Sequence, residues 1–439
     1  MAVGSVILNE RESKEARTAI AEIDGALSSE RVLASVVAGL PPEAIEGVRK
    51  SLVTEKRELL ALVDAYDEAK TGSFEKLKRR AGNDPGLNLI VARITRGFTQ
   101  KELAKKLGLK EQQVQRYEAE RYRTISLANF QRVAAVLGVR WEMAQSKPFD
   151  NGWALAGQPS PNDVRRVLKH ARLHGWFDES DDRSASEEES FSYLHRYVAD
   201  HVISHGAPSL FRTGMTVTDH SDNWALLAWK SRVIRVAEPI IAAGVVEYRP
   251  LDVSWLMDLV RLSARKDGPV LAQELLLSKG IVLVAEPHIA GTSLDGAAFL
   301  VGDVPVIGMT LLRDRLDNFW FTLLHEVAHV ILHHRTGLTA GFFDDTESTT
   351  VDEMEEEANA LASNLLVPEA LWKRSAARIA KTPAPIERFA TELRVHPAIV
   401  FGRIRKERQA YQTFTDRIGQ GQVRRQFFEA AAAARSEGE

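Results

Sequence analysis

The stretch Asn318–His334 reads NFWFTLLHEVAHVILHH, and few local structures can accommodate it. Phe319, Leu323, Val327, Val330 and Ile331 recur at spacings of three and four, the period of a helix with its apolar faces buried. Asp317 or Asn318 is the expected N-cap. Inside this run lies His325-Glu326-Val327-Ala328-His329. Two histidines four residues apart share one helical face, so both imidazoles reach a single metal ion. Glu326, one residue after the first of them, is placed to polarise a water molecule on that ion.

The rest of the composition narrows which metal chemistry is open. There is no cysteine among the 439 residues, which excludes disulfides and thiolate ligands and leaves histidine and carboxylate as donors. This donor set and the motif together point to zinc. The net charge is −3, so any affinity for nucleic acid must come from a local patch. The amino terminus meets charged residues too early for a signal-peptide core, and apolar runs such as Pro239–Val246 are too short for a bilayer. A cytoplasmic protein of several domains, without membrane partners, is expected.

Residues 1–82 carry helical periodicity, through Ala16, Ile20, Ile23 and Leu27, then Ile45, Val48, Leu52, Leu59 and Val63. They read as a helical hairpin or a dimerising antiparallel pair, with no candidate catalytic residue. Residues 84–140 form four short helical segments: Leu87–Arg96, Thr99–Leu107, Lys110–Glu120 and Ser126–Leu137. Thr99 and Glu102 have the spacing of a capping box, and Gly108 stands where a tight turn needs positive φ. Lysines and arginines outnumber acids here, a basic patch on a slightly acidic chain.

The residues Thr99-Gln100, Leu103-Ala104, Leu107-Gly108-Leu109, Val114, Tyr117-Glu118 and Leu137-Gly138-Val139 resemble the Cro/repressor-like (XRE) helix-turn-helix family. The resemblance implies that the third helix enters the major groove of operator DNA and presents Gln112, Gln113 and Arg116 to bases. Gln100 and Lys101 would then stand near phosphate. Lys110 and Glu120-Arg121 depart from the family, which often has Ser or Thr capping the third helix and glycine near position 120. A palindromic operator would require a homodimer.

Residues 141–267 read as a linker (147–161), an acidic loop (179–189) and helices, with tryptophans 153, 176, 224, 229 and 255 expected in cores. Residues 268–372 read as a helix, three short strands (Ile281–Ala285, Ala297–Val301 and Val304–Thr310, the last two joined by a turn at Gly302-Asp303) and the motif helix. A small antiparallel sheet is expected, with an edge strand that could hold an extended peptide. Residues 373–439 read as further helices and a tail.

A catalytic zinc needs a third protein ligand. The best source is Thr350–Leu366, with Thr350 and Glu353 as a capping box. On a helical wheel Glu355 falls within the apolar stripe of Met354, Ala358, Leu361, Ala362 and Leu365, and a buried carboxylate needs a partner. Glu355 is the preferred third ligand and Glu357 the next.

Asp295-Gly296-Ala297, Pro305–Gly308, Asp317-Asn318-Phe319, His325–His329, His333, Glu355, Ala358-Asn359 and Leu365–Pro368 together resemble the ImmA/IrrE family of zinc peptidases. The resemblance implies a zincin-like α+β domain in which His325, His329 and a carboxylate bind Zn2+, Glu326 is the general base, and the substrate is a repressor or antitoxin protein. The pairing with an XRE domain is similar to HigA-like antitoxins of the zinc-peptidase type. No residue stands out for stabilising an oxyanion, though His333, His334 and Arg335 are candidates. The expectation is thus a multidomain, mainly α protein. It would be a DNA-binding transcriptional regulator or antitoxin carrying a zinc metalloendopeptidase that cleaves a protein partner. The alternative is a DNA-binding repressor or antitoxin whose zinc domain is structural or sensory and cleaves nothing.

Overall fold

The computed structural model describes residues 6–82, 84–122, 125–139, 160–176, 189, 192–198, 220–334, 338 and 351–428. The chain divides into two compact units, Met1–Ser28 with Leu52–Ala154, and Ser29–Ser51 with Leu155–Glu439. The boundary falls inside the helix Pro42–Lys70, so residues 1–82, expected as one region, are shared between the units. Periodicity shows that a helix is amphipathic but not what covers its apolar face.

In the first unit the four helices read between residues 84 and 140 occur at Pro85–Thr95, Gln100–Leu107, Glu111–Ala119 and Leu127–Val136. Local chemistry sets their ends. The Asp84 carboxylate accepts from the N–H groups of Gly86 and Leu87 at 2.9 and 3.0 Å. Thr99 Oγ1 accepts from the Glu102 N–H at 3.1 Å while Glu102 Oε2 accepts from the Thr99 N–H at 2.8 Å. Gly108 closes the second helix at φ +69°. Leu103, Leu107, Val114 and Leu137 are buried in the core.

One ion pair lies within this unit's interior. Arg93 donates to Glu118 through Nε (2.6 Å) and Nη2 (2.9 Å), and both residues are buried. Its remaining N–H groups reach the carbonyls of Phe98 and Leu8, which offsets the cost of removing the charge from water. After the third helix Arg121 and Tyr122 both adopt positive φ, at 50° and 56°. The chain makes this turn without the family's usual glycine, and the buried Tyr122 ring compensates by packing. Gly86 is required opposite it, because a Cβ there would stand 1.8 Å from the Arg121 carbonyl oxygen.

The second unit is built on a three-stranded sheet, β1 (Val282–Ala285), β2 (Gly296–Val301) and β3 (Val304–Met309), in the order β1-β3-β2. β2 and β3 form the expected hairpin, antiparallel, with Val301 opposite Val304. β1 departs from expectation, for it pairs parallel to β3, with Val282 opposite Val306. The sheet is therefore mixed. A short apolar run carries no signal of strand direction.

Side chains alternate across a strand, so paired Gly308 and Ala297 face one side and Gly296 the other. Trp229, on the helix His220–Ala242, packs on the first side, its ring 2.6 Å from where a Gly308 Cβ would be. The helix Leu316–Leu332 covers the other side through Thr322 and Glu326. Part of the region expected at 141–267 is thus the sheet's outer layer. Trp224 and Trp229, with Val164, Val167 and Trp176, share one core with the strands. Trp176 and Trp229 donate their indole N–H groups to Glu286 at 2.8 and 3.0 Å. Trp153, and nearly all of the expected linker and acidic loop, lie outside the described residues.

The C-terminal helices Pro383–Leu393 and Pro397–Glu407 complete this unit. Gly402 sits against Asp317, and Asp314 accepts from the N–H groups of Val423 and Arg424 at 2.9 and 3.0 Å. Those contacts anchor the start of the motif helix.

Candidate metal centre

The motif helix Leu316–Leu332 begins at Arg315, which provides no side-chain cap. Neither Asp317 nor Asn318 is the N-cap. Asp317 lies in the first turn, where its carboxylate accepts from Arg315 Nε at 3.0 Å and compensates the exposed N–H groups. The second contributing helix is Val351–Leu366; Thr350, its expected cap, lies outside the described residues, as does Arg335.

Three donor atoms converge where these helices meet. His325 Nε2 lies 3.1 Å from His329 Nε2, 3.2 Å from Glu355 Oε2, and Glu355 Oε1 lies 3.3 Å from His329 Nε2. A tetrahedral zinc with bonds of about 2.0–2.1 Å sets its ligand atoms about 3.3–3.4 Å apart. The triangle is therefore of the right size, and its N, N, O composition suits that ion. Among the described residues, His325, His329 and Glu355 are the group able to hold a metal. Glu357 is elsewhere, on His333 Nε2 at 3.1 Å and Lys50 Nζ at 2.5 Å.

The electrostatics agree with that size. Burial lowers the His329 pKa to about 4, which keeps a lone pair available at neutral pH. Burial pulls Glu355 upward but is outweighed by the two histidines, which hold its carboxyl at about 2. Glu326 is 2% exposed, and burial raises its pKa to about 7, against the opposing pull of His325. Its side chain lies against Gly296 of the edge strand β2 and accepts from the Ala298 backbone. A carboxyl poised near neutrality can both take and return a proton.

A cleft of about 1040 Å³ opens onto these groups, lined among others by Phe321, His325, Glu326, Glu355, Asn359 and Arg403. It is large enough for several residues of an extended peptide.

The comparisons with known families bear on both units. Residues 310–404 match the model of the IrrE N-terminal-like domain, a peptidase family, and residues 90–142 match a helix-turn-helix model. The chain carries a helix-turn-helix domain and an IrrE-like peptidase domain. The IrrE-like match runs past residue 372 into the helix Pro397–Glu407, which packs on the motif helix. Comparison with curated proteins and with solved structures gives no match.

The helix-turn-helix residues singled out above divide into two groups. Lys101, Gln112 and Arg116 are exposed. Gln100 is half-buried and donates through Nε2 to Glu118 at 2.8 Å, and Gln113 Oε1 accepts from the Lys110 N–H at 3.2 Å. The latter two side chains are engaged within the domain. Two features of the metal centre were not found by sequence reasoning. Lys50 lies 307 residues from its partner Glu357, a separation no spacing rule spans. The approach of Gly296 to Glu326 had a faint trace, in the Asp295-Gly296-Ala297 motif.

Proposed function

We propose that this protein is a DNA-binding transcriptional regulator whose IrrE-like unit is a zinc-dependent endopeptidase acting on a repressor- or antitoxin-type protein. The observation that carries the reading is the triangle of His325, His329 and Glu355 beside a buried Glu326. A bound zinc supplies Lewis-acid polarisation of the scissile carbonyl and makes water more acidic. His325, His329 and Glu355 hold the ion. Glu326 takes the proton of the attacking water and delivers it to the leaving amine. The edge strand β2 and the cleft align the peptide as an added strand. Lys101, Gln112 and Arg116 face operator DNA, with a homodimer matching a palindromic site. Among the described residues no helix is long and apolar enough to cross a membrane, and we place the protein in the cytoplasm.

Glu326→Gln tests the reading, because it keeps the volume and removes the base. New protein N-termini are mapped in cells carrying wild type or variant. Wild type should generate at least one cleavage that the variant lacks, with zinc content and DNA affinity equal in both. Identical N-termini in both would overturn the peptidase assignment.

A further inference from the structure

A line of polar side chains leads away from the metal triangle. Nδ1 of His329 lies 3.1 Å from Nδ1 of His333, and Nε2 of His333 lies 3.1 Å from Oε2 of Glu357. Oε1 of Glu357 accepts from Lys50 Nζ at 2.5 Å. Both histidines are about 3% exposed, so water does not compete for their ring nitrogens. The helix ends here: His333 is its C-cap, at φ −125°. Ser51 Oγ donates to the carbonyl of Leu332 at 2.7 Å, so residues 29–51 secure both this end and, through Lys50, the far carboxylate.

The proton positions along this line follow from what each atom can do. An ionised carboxylate only accepts, so the proton between Glu357 and His333 sits on Nε2 of His333. The other nitrogen of a singly protonated imidazole is an acceptor, so the proton between the rings sits on Nδ1 of His329. Nε2 of His329 is then left with its lone pair, and that is the atom facing His325 and Glu355. Left alone, Glu355 would favour the opposite tautomer, because its carboxylate attracts an N–H at Nε2. The outer line opposes that pull.

We propose that His333 and Glu357 are positioning residues, which hold His329 in the tautomer that binds metal. The inference rests on the reading of His325, His329 and Glu355 as a zinc site. An outer hydrogen bond of this kind typically contributes 10- to 100-fold to metal affinity. Lys50 is 67% exposed on its side chain, so its ion pair adds little alone.

The test uses the full chain, stripped of metal and titrated with zinc alone against a chromophoric chelator. His333→Phe keeps the ring's bulk and removes its nitrogens. Glu357→Gln keeps the shape but can offer an amide N–H instead of an acceptor. Zinc affinity should fall 10- to 100-fold in the first and less in the second. Lys50→Ala should change it under about 3-fold, since an exposed pair is weak. Melting temperatures of the metal-free proteins should stay within a few degrees. A residue acting only by packing would leave affinity intact in His333→Phe, and that result would overturn the proposal. A second measurement needs no variant: long-range proton–nitrogen correlations in zinc-loaded wild type should show His333 protonated at Nε2. Protonation at Nδ1 would overturn it equally. Wild type with no zinc affinity would instead sink the metal-site reading on which this rests.

Discussion

Gly296 on β2 and Glu326 on the motif helix touch with no space to spare. A Cβ at Gly296 would stand 3.2 Å from both Cγ and Oε1 of the glutamate, and 2.9 Å from Thr322 Cγ2. Gly296→Ala should displace the Glu326 carboxyl by a few tenths of an ångström while leaving the two histidines in place. Cleavage should drop by about 10-fold or more, since small misplacements of a reacting group are costly. Zinc affinity should stay within about 2-fold of wild type, and overpacking should cost about 1–3 kcal/mol of stability. Parallel zinc titration and mapping of new N-termini check it; equal loss of both activities would count against it.

Arg93 and Glu118 lie buried as a doubly hydrogen-bonded pair, with Gln100 donating to the same carboxylate. Arg93→Ala leaves a buried charge without its cation and should destabilise the helix-turn-helix unit by about 3 kcal/mol or more. Replacing both partners with apolar residues of similar volume, Arg93→Met with Glu118→Leu, should recover most of that loss. Chemical unfolding of the three proteins, followed by helical signal, decides it. A double variant as unstable as the single one would contradict the argument.

On the surface proposed to face DNA, the exposed residues should behave differently from one another. Arg116→Ala should cost about 1–3 kcal/mol on the preferred site and flatten its preference over random sequence. Lys101→Ala should weaken both classes of site alike and reduce the salt slope by about 1. Binding isotherms at several salt concentrations separate the two patterns. Equal wild-type affinity for all sequences would remove the base-reading role from Arg116.

His170 links stability to pH. Its ring packs on Trp176 and His174, and burial, aided by the charges of His174 and His288, lowers its pKa from 6.5 to about 4. Folded protein therefore keeps it neutral where the unfolded chain takes up a proton. Its contribution is fully present above about pH 6.5 and is lost as pH falls toward about 4. His170→Gln should flatten the decline in stability across that window. Melting temperatures from pH 7 to 4 that decline in parallel for both proteins would refute it.

Local signals were strongest where a few neighbouring atoms decide the conformation. Thr99, Glu102 and Gly108 carry their turn chemistry in their own side chains and φ angles, so helix ends there were legible to within a residue. The histidine spacing and the buried-stripe argument for Glu355 rest on a single helical period, and the three donors do converge. The N-cap of the motif helix is Arg315, and Asp317 stands inside the first turn with its carboxylate on Arg315 Nε, a placement that the apolar period alone does not fix.

What the sequence determined by itself was periodic or local: which stretches are helical, which faces are apolar, and which histidines share a side. Tertiary structure alone decided that β1 runs parallel to β3, that Trp229 and its helix roof the sheet, and that Lys50 anchors Glu357 from 307 residues away. It also withdrew Gln100 toward Glu118 and brought Gly296 against Glu326. The physical reason is range. Helical period and capping act over a few bonds and leave a mark in adjacent residues. Strand direction, burial partners and long-range hydrogen bonds depend on which surfaces meet when the chain collapses, and adjacent residues do not encode that.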